Sequence, residues 1–111
     1  MKINRETQPT ETLESFCDKH GLTVSVKERP WSLIKNFGLD RFHASIVNAE
    51  VARDGCLIGV HGNGATEDAA LSDYCARVSG ERLAINAFRG DRREILVPRL
   101  VGVWDEPPTT G

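Results

Sequence analysis

Apolar residues recur along the chain with two periods, one helical and one extended, and the switches between them mark the elements. Leu13, Phe16, Cys17 and His20 stand at i, i+3, i+4 and i+7, one face of a helix over 11–20, with Thr10 as its cap and Gly21 as its left-handed stop. Leu22, Val24 and Val26 then alternate with Thr23, Ser25 and Lys27, which predicts a strand buried on one face and ended by Pro30. Trp31 to Asp40 has neither period cleanly and reads as a long loop with a helical turn. Phe42, Ala44 and Ile46 alternate with His43 and Ser45, after which the apolar register slips onto Val47, Ala49 and Val51, predicting a bulge near Asn48. Asp54-Gly55 gives a tight hairpin, and Cys56 to Val60 returns as its partner strand.

Gly62, Asn63 and Gly64 break that strand, and Thr66 caps a second helix. Glu67 and Asp68 suit the positive end of its dipole, and Leu71, Tyr74, Cys75 and Val78 repeat the apolar face of the first helix. Leu83, Ile85 and Ala87 alternate again, a turn follows around Gly90, and residues 94–97 form a further strand limited by Pro98. Leu100 to Trp104 supplies a last extended piece. The order is helix-strand-strand-strand-helix-strand(s). Two helices that are each apolar on one face need one surface to lie on, so the fold class is α+β: an antiparallel sheet of three to five strands with two helices packed on one face. The other face of the sheet is assigned Thr23, Ser25, Lys27, His43 and Ser45. Residues 1–9 read as a flexible N-terminal arm, 10–104 as a single α+β domain, and 105–111, with the sequence DEPPTTG, as a disordered tail.

Composition narrows the setting. A chain of 111 residues supports one core, and 40% hydrophobic with 27% charged residues is ordinary for a globular protein. A net charge of −2 gives no global attraction to nucleic acid or anionic lipid. No apolar run approaches the roughly 18 residues of a spanning helix, and the first residues lack the apolar centre of a signal peptide. Cys17, Cys56 and Cys75 cannot all pair internally, so three reduced, mostly buried thiols and a cytoplasmic location are expected, with no membrane association.

Candidate chemistry is sparse. The GNGAT segment before a helix lacks the Lys-Ser/Thr of a phosphate loop and leads into carboxylates, so it reads as a tight strand-to-helix turn whose glycines serve backbone angles. Cys17, His20, Cys56, His61 and Cys75 contain no paired-cysteine spacing, so no metal or cofactor is expected. His43 and His61 are the obvious general bases, expected near each other on adjacent strands, with Ser45 or Cys56 as nominal nucleophiles, but no catalytic motif accompanies them. From Arg82 to Arg99 five arginines face Asp91 and Glu94, a basic hairpin suited to phosphates, to an acidic protein, or to guarding a sheet edge. Trp31 and Trp104 suit either core or interface.

Over about residues 10–79 the chain resembles the double-stranded-RNA-binding-domain fold: LESFCDKHGLTVSVKE looks like that family's first helix and strand, and CLIGVHGNGATEDAA like its third strand and second helix. The resemblance implies a lysine cluster at the start of the second helix, but Thr66, Glu67, Asp68, Ala69 and Ala70 stand there. Glu67 and Asp68 repel phosphates, so RNA or DNA binding by that route is disfavoured. The loop from Trp31 to Asp40 also lacks that family's Gly-Pro-x-His pattern. Residues 42–78, with Gly-x-Gly-x-Thr-Glu-x-Ala opening a helix, are similar to the sheet-and-helix half of HicB-type antitoxins, a likeness that implies a protein partner. The style of the chain also resembles phage or prophage accessory proteins.

The expectation is therefore a non-enzymatic small binding module that contacts a protein partner or a second copy of itself. Trp31 and Phe37 in the long loop and Arg89, Arg92 and Arg93 in the later turn are its contact residues. The alternatives are nucleic-acid binding through the Arg82–Arg99 hairpin and a small enzyme using His43 and His61.

Overall fold

A computed structural model describes residues 10–101. The arm at 1–9, the tail at 105–111 and Trp104 lie outside the described residues. Within them the elements run β1 (Thr10–Thr12), α1 (Leu13–His20), β2 (Val24–Glu28), α2 (Trp31–Phe37), β3 (Phe42–Ile46), β4 (Ala49–Arg53), β5 (Cys56–Ile58), β6 (Gly62–Gly64), α3 (Glu67–Val78), β7 (Arg82–Ile85), β8 (Arg93–Leu96) and β9 (Arg99–Val101). The fold is α+β, with antiparallel sheets of three strands, in the order β2-β3-β6, and four strands, in the order β5-β4-β7-β8.

The two sheets are joined through a single kinked ribbon. β3 runs into β4 across Val47 and Asn48, and β5 runs into β6 across 59–61, so β2 and β7 lie end to end on one side of the ribbon and β6 and β5 on the other. Ala44 pairs with Gly62, which brings Ile46 opposite Val60, whereas Val51 pairs with Ile58, which brings Ala49 opposite the same Val60. Val47 and Asn48 are therefore surplus residues that bulge out, and Asn48 takes φ 61°, a left-handed angle that asparagine tolerates better than most residues. The slip in apolar register at Asn48 has this as its cause.

Local chemistry sets the helix ends. The Thr12 hydroxyl accepts from the Ser15 amide to cap α1, and Gly21 closes it at φ 66°. Thr12 rather than Thr10 is the cap because residues 10–12 are held in a parallel pair with Arg99–Val101. Thr66 caps α3 by accepting from Ala69. Asp54 and Gly55, at φ 53° and 79°, turn the β4–β5 hairpin.

One apolar core joins the helices to the sheets. It contains Leu13, Phe16 and Cys17 of α1, Ala70, Tyr74, Cys75 and Val78 of α3, Ala44, Ile46, Val51, Leu83 and Ile85 of the strands, and Val97 and Leu100 beyond them. Among the described residues it holds no buried polar or charged side chain.

Four details differ from the sequence expectation. Trp31–Phe37 is a helix rather than a loop with one turn; Pro30 precedes its first residue, where a missing amide hydrogen costs nothing, and Gly38 ends it at φ 64°. Gly62–Gly64 is a strand paired with β3 rather than a break, and its glycines do not serve backbone angles. A Cβ on Gly62 would lie 2.1 Å from the Ala70 carbonyl oxygen and 2.3 Å from the Tyr74 nitrogen, so Gly62 is the price of seating β6 directly on α3. Cys56 is exposed, because it sits at the hairpin exit opposite Arg53 on an edge strand, whereas Cys17 and Cys75 are buried. Leu83, Ala84 and Ile85 are all buried, so β7 loses its expected alternation; the small Ala84 lies between Glu50 and Glu94 of the flanking strands.

Candidate functional site

Three surfaces hold the residues singled out by sequence. The first is α2. It spans the gap between the end of β2 and the start of β3, and none of its seven residues is buried. Trp31 is 71% and Phe37 69% exposed, with Leu33 and Leu39 also exposed beside them. Arg29 braces the base of this excursion: it donates to the Asp40 carbonyl at 2.7 Å and to Asn63 Oδ1 at 2.6 Å. The helix is thus anchored at its root and left without a partner for its aromatic side chains among the described residues.

The arginine hairpin is the second surface, formed by β7, β8 and the turn between them. Three of its five arginines pair with carboxylates of the same segment. Arg92 pairs with Glu94 at 2.7 Å, Arg82 approaches the same carboxylate at 3.9 Å, and Arg89 lies 3.5 Å from Asp91. Arg93 donates to the His20 carbonyl oxygen at the end of α1. Asp91 and Glu94 are already counted in the local +3, so these pairs tie down Arg82, Arg89 and Arg92 without lowering the net charge of the segment. Phe88, 86% exposed at the turn, is its most prominent apolar feature and escaped notice in the sequence because a lone aromatic in a polar turn has no period.

These two sets of contact residues are not brought together. Asn86, which opens the hairpin turn, donates its amide to the Asn48 carbonyl, whereas α2 connects at the Glu28–Phe42 end of the ribbon. Six strand residues separate those points, about 20 Å of extended chain.

The third surface is the face of the sheet turned away from α1 and α3. Lys27 pairs with His43, which in turn faces Asn63; one step along, Ser25 pairs with Ser45, which faces His61. The His43 and His61 rings lie edge to face with centroids 5.7 Å apart. Together with the Asn48 bulge and Gly59–Val60 they line a concavity of about 350 Å³, whose only carboxylate among the described residues is Glu50. Burial lowers the His43 pKa, and the nearby charges of Arg29, His61 and Lys27 push it the same way. The alternation of the sequence found the face; Arg29 and Asn63, which complete its edge, were missed because only strand register shows them.

Cys17, His20, Cys56, His61 and Cys75 do not converge, and no group of three or more His, Cys, Asp or Glu among the described residues is arranged to hold a metal ion. No described helix is long and apolar enough to cross a membrane. No protein-family model, curated protein or solved structure matches the chain.

Proposed function

We propose that the protein is a non-enzymatic docking module that binds a second copy of itself through α2. The observation that carries this reading is a helix that buries none of its residues while leaving about seven-tenths of Trp31 and Phe37 exposed. A seven-residue helix has little stability of its own, and large aromatics held in water are a recurrent mark of an interface. The chain offers a matching receptor. Leu13, Cys17, Leu22, Val24 and Leu71 line an apolar groove of about 330 Å³ between α1, β2 and α3, with Glu14 and Asp18 on its rim. An apolar helix carrying Lys35 fits an apolar groove edged by carboxylates in both shape and charge, the helix-in-groove mode of recognition. Reciprocal seating of each α2 in the other copy's groove closes a two-fold dimer.

The likeness to HicB-type antitoxins also favours contact with protein, in keeping with a phage or prophage accessory role. The arginine hairpin is the weaker candidate, since three of its five guanidinium groups, those of Arg82, Arg89 and Arg92, already have carboxylate partners.

Light scattering and sedimentation across a concentration series test the reading. The native chain is expected to dimerise, and Trp31→Ala with Phe37→Ala to weaken the dimer at least about a hundredfold, two truncated aromatic anchors at roughly tenfold or more each. Leu71→Lys, which sets a like charge against Lys35 inside the groove, is expected to act in the same direction. A native chain that stays monomeric throughout refutes the proposal.

A further inference from the structure

The polar concavity of the sheet has no part in that docking, and its chemistry is one-sided. Across three adjacent strands it presents an ammonium group, two imidazoles and two hydroxyls, from Lys27, His43, His61, Ser25 and Ser45, all capable of donating hydrogen bonds. Lys27 stands directly opposite His43, a pairing of like charge whenever the imidazole is protonated, and like charges directly across a ladder are destabilising. None of the three basic side chains makes an ion pair among the described residues, although seven such pairs are formed elsewhere on the same surface. The groups facing His43 are Lys27 from β2 and Arg29 just beyond it, His61 and Asn63 from the β5–β6 ribbon, and Glu50 on the far wall. An arrangement that sets Lys27 and two imidazoles in one hollow against a single carboxylate, Glu50 on the far wall, is unfavourable for folding and complementary to an anion seated on the Lys27–His43 side.

We propose that this concavity binds the phosphate group of a small phosphomonoester. Lys27 supplies the fixed charge, His43 and His61 supply imidazole N–H donors, and Ser25 and Ser45 supply neutral hydrogen bonds to the remaining oxygens. The hollow is larger than a phosphate alone and continues over Val47, Ala49 and Val60, so the ligand carries an apolar or aromatic group on its ester oxygen. The site forms where it does because Val47 and Asn48 are surplus to both strand registers: the bulge raises one wall of an otherwise shallow sheet face.

Phenyl phosphate, inorganic phosphate and a short single-stranded oligonucleotide are suitable probes, titrated into the full chain while the imidazole resonances are followed by NMR. Phenyl phosphate is expected to shift the ring signals of His43 and His61, to raise the His43 midpoint by about one pH unit, equivalent to a tenfold preference for the protonated ring, and to bind more tightly than inorganic phosphate. Lys27→Met and His43→Gln are each expected to weaken it about tenfold or more while leaving the circular dichroism of the fold unchanged, since neither side chain is buried in the core. Absence of ring shifts with phenyl phosphate, or an unchanged affinity in Lys27→Met, overturns the proposal. Tighter binding of the oligonucleotide than of phenyl phosphate overturns the small-ligand assignment.

Discussion

Replacing Gly62 by alanine tests the seat of β6 on α3, the contact on which the layered fold turns. The added Cβ would stand 2.1 Å from the Ala70 oxygen, 2.3 Å from the Tyr74 nitrogen and 2.6 Å from the Tyr74 Cβ, where ordinary contact begins at 3.4 Å. Two of these three atoms belong to the α3 backbone, so no rotamer change relieves them, and strand and helix must separate by roughly 1 Å. A gap of that size forfeits a quarter to a half of the dispersion energy across the contact. Overpacking of a core generally costs about 1–3 kcal/mol, and an obstruction by backbone belongs at the top of that range or above it. A loss of about 3 kcal/mol, from a total of about 5–15, lowers Tm by roughly 10–25 °C for a domain of this size. Urea titration followed by circular dichroism measures it directly. Gly59→Ala is the control, because nothing lies within 4 Å of its Cβ position and its φ is not positive; its effect is expected within about 0.5 kcal/mol of the native chain. A Gly62→Ala protein as stable as that control would refute the close approach of β6 to α3.

Two ionisable groups in the same layer give further checks. Tyr74, the one tyrosine of the chain, is pushed up to about 12 by burial, with a backbone hydrogen bond at Ile46 offsetting part of the rise. A folded value above the usual 10 means that its contribution is complete below pH 10 and is lost as pH climbs towards 12. Tyrosinate absorbance is therefore expected to emerge near pH 10 in denaturant and about two units later in the native protein; coincident curves would show an exposed ring. Asp73 accepts from the Asn63 amide and from Arg77 Nε, both at 2.8 Å. Burial opposes its ionisation, but the hydrogen bonds from Arg77 and Asn63 prevail and hold its pKa below the usual 3.8. Its stabilisation is thus present above about that pH and is lost as pH falls through the folded value. Asp73→Asn is expected to cost about 1 kcal/mol at neutral pH, and the deficit should shrink in acid; a constant deficit in denaturation measurements down to pH 2 would exclude the charge as its source.

Helices α1 and α3, the Asp54–Gly55 hairpin and the Asn48 bulge were legible because each has a local cause: a 3.6-residue apolar period, a residue pair suited to positive φ, a slip of one apolar register onto the other. What stayed hidden depends on contacts between distant segments. Gly62 and Gly64 look like a loop to any local reading, and only the approach of α3 shows that they form a strand from which side chains are excluded. The helicity of Trp31–Phe37 was obscured for the opposite reason: with no core face, it has no amphipathic period to read, and the exposed aromatics that hid the helix are the same ones on which the proposed docking rests.

The polar face marks the same boundary within one site. Period-two alternation assigns Ser25, Lys27, His43 and Ser45 to a common side, because that assignment needs only the pleat. It says nothing about which residues become neighbours. Lys27 meets His43 because Pro30 and the α2 excursion return the chain at Phe42 opposite Glu28, and His61 joins them because the bulge at Val47–Asn48 restores the pairing of β6 with β3 after the hairpin. A shift of one residue in either connection would turn His61 or Lys27 to the core face, where an apolar side chain is required. The cationic cluster is consequently tied to the same register that buries Ala44 and Ile46, so the residues of the proposed anion site are brought together by the pairing that forms the core.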